Sequence, residues 1–114
     1  MIMSDFVVIL VTVGSSSEGE RIAEALVEER LAACVNRVGP VRSVYTWKGE
    51  LCKENEELLI IKSRRELFGA LERRIREIHS YSVPEIIAIP VIEGSRTYLD
   101  WVTENTGTKE ESPS

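Results

Sequence analysis

Three side chains in this sequence could bind a soft metal ion, namely the thiols of Cys34 and Cys52 and the imidazole of His79. Thiolate ligands favour copper(I), and imidazole suits both copper and zinc. None of the three lies at a spacing typical of a zinc site. The alternatives are a small buried residue for Cys34, an exposed thiol for Cys52 and a helix C-terminal cation for His79. Harder carboxylate ligands are available at Glu54, Glu56, Glu57 and Glu85.

A second group of residues could form a binding surface for a small molecule. Tyr45 and Trp47 are two residues apart, so they share one face of a predicted strand. Lys62 lies at the far end of the same predicted hairpin, and Tyr81 and Glu85 closely follow the single histidine. Packing, for example across a subunit interface, is the alternative role of the two aromatic residues on the strand.

The sequence contains none of the common catalytic motifs. It has no glycine-rich nucleotide loop, P-loop, HExxH, CxxC or GxSxG pattern. His79 and Glu85 could act as an acid and a base in principle, but nothing in the pattern positions them against a substrate. The sequence therefore assigns no enzymatic activity, and binding of a metal ion or a small ligand is the chemistry to consider.

Four main strands must position these residues. Residues 5–13 form a continuous apolar run, which is typical of a strand buried on both faces. A long hairpin predicted over 41–62 ends in a second such run, and residues 34–38 form a shorter β-prone stretch before it. The last strand, predicted over 85–92, contains Pro90 and is therefore expected at an edge of the sheet or at a bulge.

Capping patterns predict where the two main helices begin. Ser17 with Glu20, and Ser63 with Glu66, have the spacing of capping boxes, in which each side chain satisfies a backbone group of the other residue. The apolar spacing that follows predicts helices that end near residues 33 and 78.

The element order is β-α-β-β-α-β, followed by a short helix over 95–105. It predicts an α+β fold of the ferredoxin-like, split β-α-β type. Right-handed crossovers then place the first and third strands in the centre of the sheet. The two main helices are expected side by side on one face. A single domain is expected over residues 1–105, with a frayed polar tail over 106–114.

Composition narrows the functional classes. The chain has 114 residues and a formal net charge of −5, whereas nucleic acids and anionic lipids attract basic proteins. The longest apolar run, 6–11, is far shorter than the roughly 20 residues of a membrane span. The first residues lack the basic start of a signal peptide. We therefore expect reduced thiols and a cytoplasmic protein with no nucleic-acid or membrane partner.

Five segments of the sequence, in order, resemble those of one protein family, the CutA1 divalent-cation tolerance family. The resemblance covers about residues 6–102. The segments are LAACVN at 31–36, YxWxG at 45–49, the ExxLxxK strand that ends at Lys62, HxYxxPEI at 79–86 and YLxW at 98–101.

The resemblance implies a ferredoxin-like protomer that assembles as a homotrimer, with the long hairpin reaching a neighbouring subunit and Tyr98 and Trp101 packing within the assembly. It also implies a link to tolerance of copper and other divalent cations. In copper-binding members, the ligands are a cysteine near the end of the first strand and two adjacent histidines. Here Val11 and Ile78 occupy two of these positions, and only His79 matches.

Two functions are consistent with these observations. The first is a trimeric metal-tolerance protein that binds copper or another divalent cation, with His79, Cys34 and Cys52 as candidate ligands. The second is a non-catalytic regulatory module that binds a small ligand in a cleft between subunits, similar to the PII signalling proteins in architecture only. The cleft would be lined by Tyr45, Trp47, Lys62, Tyr81 and Glu85.

Overall fold

The computed structural model describes residues 5–108 and has the predicted α+β class, with one four-stranded antiparallel sheet and three α-helices. A short 3-10 turn precedes the second helix. The chain order is β1 (Phe6–Val13), α1 (Ser16–Glu28), β2 (Cys34–Trp47), β3 (Glu50–Arg64), the 3-10 turn (Arg65–Leu67), α2 (Phe68–Ile78), β4 (Ile86–Pro90) and α3 (Arg96–Glu104).

The sheet order is β2-β3-β1-β4. Strand β1 pairs with β3 on one side and with β4 on the other, antiparallel in both cases. The prediction that the first and third strands are central is therefore confirmed. The prediction of an edge position for the strand that contains Pro90 is also confirmed. Proline has no backbone N–H to donate. It is tolerated in an edge strand, because one side of such a strand makes no hydrogen bonds to a neighbouring strand.

One face of the sheet forms the hydrophobic core. Along β1, every second side chain is buried, and these residues pack against apolar side chains of α1 and α2. The core cluster contains Val7, Ile9, Val11, Val13, Ile22, Leu26, Ala32, Leu59, Ile61, Leu71 and Ile75. The side chains between them on β1 are only half-buried. The expected burial on both faces is thus wrong for the single chain, because both main helices pack on the same side.

The other face of the sheet is apolar and lacks this helical cover. Leu10 pairs with Ile60 on β3 and with Ile87 on β4, and paired residues point to the same side of a sheet. Ile87 and Ile89 on the edge strand keep 50% and 48% of their surface exposed. We call this surface the open face; it comprises Val8, Leu10, Leu58, Ile60, Ile87 and Ile89.

The β2–β3 hairpin extends well beyond the rest of the sheet. Residues 34–38 and 41–47, predicted as separate stretches, form one strand with an irregularity between Val38 and Val41. The turn residues Lys48 and Gly49 both have positive φ, at 51° and 82°, as the two-residue turns favoured in hairpins require. Residues 50–56 of β3 pair only with β2, a length of about 23 Å.

The predicted helix starts are wrong at both main helices. Ser15, and not Ser17, caps α1, and its Oγ accepts a hydrogen bond from the Glu18 N–H at 3.2 Å. Ser63 lies within β3, where its hydroxyl donates to the Leu31 carbonyl at 2.6 Å. Helix α2 starts at Phe68 without a side-chain cap. Ser63 is therefore placed by a contact that local spacing does not encode, whereas Ser15 and Glu18 have the same spacing as the predicted pair Ser17 and Glu20.

Helix α1 is also shorter than predicted. It ends at Glu28, because Arg30 adopts the left-handed conformation with φ of 60°. The expected contact between α1 and α2 is confirmed by the pair Glu29–Arg74, whose carboxylate oxygen and Nε lie 2.9 Å apart. This pair is partly exposed, so it contributes little to stability.

The packed domain extends past residue 105. Thr106, which the sequence analysis placed in the polar tail, is fully buried. Its hydroxyl accepts a hydrogen bond from Arg64 Nε at 2.8 Å, and the Gly107 N–H donates to the Arg30 carbonyl. The remainder of the predicted tail, residues 109–114, lies outside the described residues. Between residues 5 and 108, no helix has the length and apolar character needed to cross a membrane.

Truncation of Ile61 to alanine should lower the free energy of unfolding by about 2–5 kcal/mol, because the side chain is fully buried and leaves a cavity. Chemical denaturation at fixed protein concentration measures the change. Val27→Ala on the exposed side of α1 is the control, with an expected change within about 0.5 kcal/mol. Equal effects of the two substitutions would contradict the assignment of the core.

Candidate functional site

A concavity of about 600 Å³ lies between the β2–β3 hairpin and the segment that connects α2 to β4. Aromatic, carboxylate and small polar side chains share its lining. The lining residues are Thr12, Ser43, Val44, Tyr45, Trp47, Glu54, Glu56, Tyr81, Ser82, Val83 and Glu85.

The register of the hairpin explains why aromatic and acidic side chains meet here. Ser43 pairs with Glu54, and Tyr45 pairs with Cys52. Since paired residues share a face and alternate residues repeat it, the aromatic side chains of β2 and the carboxylates of β3 point to the same side. This side is continuous with the open face of the sheet. The concavity therefore lies where the apolar residues of the open face adjoin the carboxylates of the hairpin.

Tyr81 and Glu56 form a partly buried polar contact in the concavity. The Tyr81 hydroxyl donates to Glu56 Oε2 at 2.7 Å, and Glu56 is only 7% exposed. Burial of the phenol, followed by the hydrogen bond to Glu56, raises the pKa of Tyr81 well above its usual value. Tyr81 is therefore a hydrogen-bond donor at every physiological pH. A side chain at Gly14 would crowd the phenol, since an added Cβ would lie 3.1 Å from its oxygen.

His79 holds the polypeptide behind the concavity. Its Nε2 lies 2.8 Å from the carbonyl oxygen of Thr12, and its Nδ1 accepts a hydrogen bond from the Tyr81 N–H at 3.0 Å. The first contact requires a proton on Nε2, and the second requires a lone pair on Nδ1. The side chain is fully buried. Both ring nitrogens are thus occupied by backbone groups of the same subunit.

Glu18 holds the next residue of the same segment. It accepts hydrogen bonds from the backbone N–H and hydroxyl of Ser80, at 2.7 and 3.1 Å, and a longer one from the Gly14 N–H at 3.3 Å. Burial, the largest single influence, raises the pKa of Glu18, but these hydrogen bonds together outweigh it. The pKa of Glu18 consequently lies below its usual value.

The two thiols lie far from one another. Cys34 on β2 pairs with Lys62 on β3, whereas Cys52 lies on β3 itself. Ten residues along β3 therefore separate Cys52 from the position opposite Cys34. This corresponds to about 33 Å along the strand. Both thiols are free, and each makes one long contact: Cys34 Sγ with the Asn36 side chain at 3.9 Å, and Cys52 Sγ with the Glu50 carbonyl at 3.7 Å.

The structure does not bring the three proposed metal ligands together within the single chain. In the described part of the chain, no three histidine, cysteine, aspartate or glutamate residues are grouped closely enough to hold a metal ion. Val11, at the position where the family resemblance implies a cysteine ligand, is fully buried and belongs to the core. Ile78, at the position of the first histidine, packs against the same core.

Four of the five residues assigned to a ligand cleft do line the concavity: Tyr45, Trp47, Tyr81 and Glu85. Lys62 does not, because it pairs with Cys34 at the other end of the hairpin. Glu54 and Glu56 also line the concavity, although the sequence analysis considered them only as metal ligands. The two-residue period of β3 predicts that Glu54 and Glu56 face the concavity, once the turn at Lys48 and Gly49 sets the register of the hairpin.

Replacement of Glu18 by glutamine should lower the free energy of unfolding by about 1–3 kcal/mol at neutral pH, because both carboxylate oxygens accept hydrogen bonds and the amide has one acceptor. The pKa of Glu18 is lower in the folded state, so the stabilisation is complete above the unfolded-state value of about 4.5. It declines as the pH falls through the folded-state pKa.

Urea denaturation of the original protein and the Glu18→Gln variant, from neutral to acidic pH, measures this difference. Glu24→Gln, at an exposed position of α1, is the matched control and should change stability little at any pH. A difference between the original protein and Glu18→Gln that stays constant with pH would contradict a lowered pKa.

Comparisons with known proteins agree with this architecture. Residues 7–105 match the family model described as CutA1 divalent ion tolerance protein. The divalent-cation tolerance protein CutA of Thermus thermophilus is 51% identical over 100 residues, which cover 88% of this chain and 97% of that protein. The chloroplastic CutA of Arabidopsis thaliana is 44% identical over 100 residues, and the match spans 55% of its length.

Solved structures give the same result. The crystal structure of CutA1 from a psychrotrophic Shewanella has a TM-score of 0.90 and 36% sequence identity to this chain. The superposition covers 94% of this chain and all of the Shewanella chain. Both the family model and these relatives span most of the residues described. The chain therefore belongs to the CutA1 family of divalent-ion tolerance proteins.

Proposed function

We propose that this chain serves divalent-cation tolerance as a homotrimer of ferredoxin-like subunits, and that it binds a metal ion such as copper in this role. The observation that carries the proposal is family membership over residues 7–105. We also place the protein in the cytoplasm, where thiols such as those of Cys34 and Cys52 stay reduced.

Self-association is supported by the open face. Six aliphatic side chains cover three adjacent strands there, and α1 and α2 pack on the opposite side. A contiguous apolar surface of this kind is rare on monomeric proteins and marks an interaction site. Both edge strands also have one side free for pairing in the single subunit. A neighbouring copy of the chain would cover these groups.

The long hairpin supports the same assembly. Its outer part pairs with no other strand in the described chain, and a two-stranded ribbon is only marginally stable in water. Apolar side chains near its tip are exposed, with 59% of Val44 and 66% of Leu51 accessible to solvent. Contact with a neighbouring subunit would bury these side chains and stabilise the ribbon.

For metal binding, we assign the leading role to the thiols. Cys34 and Cys52 are half-buried and make only long contacts, so their sulfur atoms are available to an ion. Copper(I) prefers such ligands. His79 would have to exchange a hydrogen bond to Thr12 or Tyr81 for the metal. Because the thiols are far apart in one subunit, each site would be completed by another subunit.

The concavity supports a second candidate function, the binding of a small ligand by a non-catalytic module. Its volume of about 600 Å³ is typical of small-molecule sites, and its lining combines aromatic rings with a few polar groups. In the proposed trimer, a neighbouring subunit would form part of its rim, which corresponds to the cleft expected from the sequence.

Introduction of a charge at Ile87, as Ile87→Glu, should shift the protein from trimer towards monomer, because the carboxylate would have to be buried in an apolar interface. Light scattering coupled to gel filtration measures the mass. The control is Val27→Glu on α1, which should leave the trimer intact. A monomeric original protein, or a trimer unaffected by Ile87→Glu, would contradict this interface.

Native mass spectrometry of the metal-free protein, titrated with copper(I) and separately with zinc, should show copper(I) uptake in a fixed ratio to subunits. Cys34→Ser and Cys52→Ser should reduce this uptake. Loss of uptake in His79→Gln as well would assign the imidazole as a third ligand, whereas full uptake would leave it a structural residue. A trimer that binds neither ion would contradict metal binding without affecting the proposed assembly.

A further inference from the structure

We propose that the concavity binds an organic cation, a molecule with an ammonium or guanidinium head and a small apolar body. This inference rests on the second candidate function, a ligand cleft, and specifies the chemistry of its ligand. It follows from the charge, the aromatic lining and the size of the concavity, taken together.

The charge of the lining has a single sign. Glu54, Glu56 and Glu85 contribute carboxylates, and no lysine or arginine is among the lining residues in the described chain. Glu56 lies at the buried end, whereas Glu54 and Glu85 are exposed at the rim. A site that opens to solvent through acidic residues and ends in a buried carboxylate attracts cations and disfavours anions.

The aromatic lining suits an organic cation in particular. Trp47 and Tyr45 retain 45% and 37% of their surface exposed, although both side chains are large and largely apolar. Indole and phenol rings bind ammonium and guanidinium groups over their faces. The ring of Trp47 already has a cation near it, the Lys48 ammonium at 5.9 Å from the ring centroid.

The size of the concavity argues against a bare divalent ion. A volume of about 600 Å³ far exceeds that of a single ion. The carboxylates are also spread around the lining, since no three potential ligands among residues 5–108 are close enough to coordinate one metal. A ligand whose positive charge is carried by a larger organic body fits both observations.

The side of the concavity that Tyr81 and Glu56 form is held in place before any ligand binds. The Tyr81 hydroxyl donates a hydrogen bond to Glu56. The Tyr81 backbone N–H donates to His79, and the Ser80 backbone N–H donates to Glu18. The residues that carry the aromatic ring and the buried carboxylate are therefore preorganised, which reduces the entropy lost on binding.

The test compares three probes of similar size and different charge: benzylammonium, benzyl alcohol and benzoate. Binding to the full chain is measured by calorimetry and, in a Trp101→Phe background, by the fluorescence of Trp47. We expect benzylammonium to bind at least about tenfold more tightly than benzyl alcohol, and benzoate not to bind. Added salt should weaken the binding of benzylammonium.

Charge-removing variants locate the site. Glu56→Gln retains an acceptor for the Tyr81 hydroxyl, and Glu85→Gln changes an exposed residue that leaves the fold intact. Each should weaken benzylammonium binding about tenfold. Glu28→Gln, which removes the same charge from an exposed position of α1, should change affinity less than about twofold.

Several outcomes would overturn the proposal: equal affinity for the cationic and neutral probes, binding of benzoate, no detectable binding of benzylammonium, or insensitivity to both glutamine variants. Displacement of benzylammonium by zinc would reassign the concavity to a metal. Protection of Trp47 from acrylamide quenching in the free protein would show that another copy of the chain fills it. The mass of the assembly and its copper uptake are read separately, so failure here leaves those proposals unaffected.

Discussion

The two central strands of the sheet carry apolar side chains on both faces, whereas the two main helices can cover only one. This constraint governs the rest of the structure. The covered face, with Ile9 and Ile61 at its centre, supplies the hydrophobic core that a chain of 114 residues needs. The open face is a second apolar surface of the same strands, and its burial requires a partner. A continuous apolar run in a sequence can thus indicate a strand that helices bury on one side and that presents an apolar surface on the other.

The connection between core and concavity runs through a short buried polar cluster. Glu18 and His79 belong to different helical ends, yet both hold the segment that begins at Ser80. Buried polar groups of this kind are costly unless every donor and acceptor is satisfied, and no buried side-chain polar atom in the described chain lacks a partner. The cluster therefore fixes the position of Tyr81 relative to the sheet. The Tyr81 ring, which lines the concavity, is thus held by contacts to the core.

The sequence correctly predicted the features that depend on hydrophobic periodicity, such as the strand order. It did not predict features that contacts between distant residues determine. Pro90 and the apolar runs correctly indicated the edge and central strands. Both Ser15–Glu18 and Ser17–Glu20 have the spacing of a capping box, and the structure uses the first, whose glutamate also binds Ser80. The occupied nitrogens of His79 could not be predicted either, because their partners lie 67 residues earlier, at Thr12, and in the backbone of the following segment.

The hairpin takes part in two processes at once. Its residues form one wall of the concavity, and the same ribbon extends beyond the sheet, where no other strand of the described chain pairs with it. A ligand that orders the hairpin residues of the concavity would also order the outer hairpin. A neighbouring molecule that orders the outer hairpin would in turn affect the shape of the concavity. In the proposed trimer, occupancy of the concavity and association of subunits would therefore be thermodynamically linked, and each would change the other by the same factor. Ligand affinity would then depend on protein concentration, a dependence that a monomeric binding module of the same shape would lack.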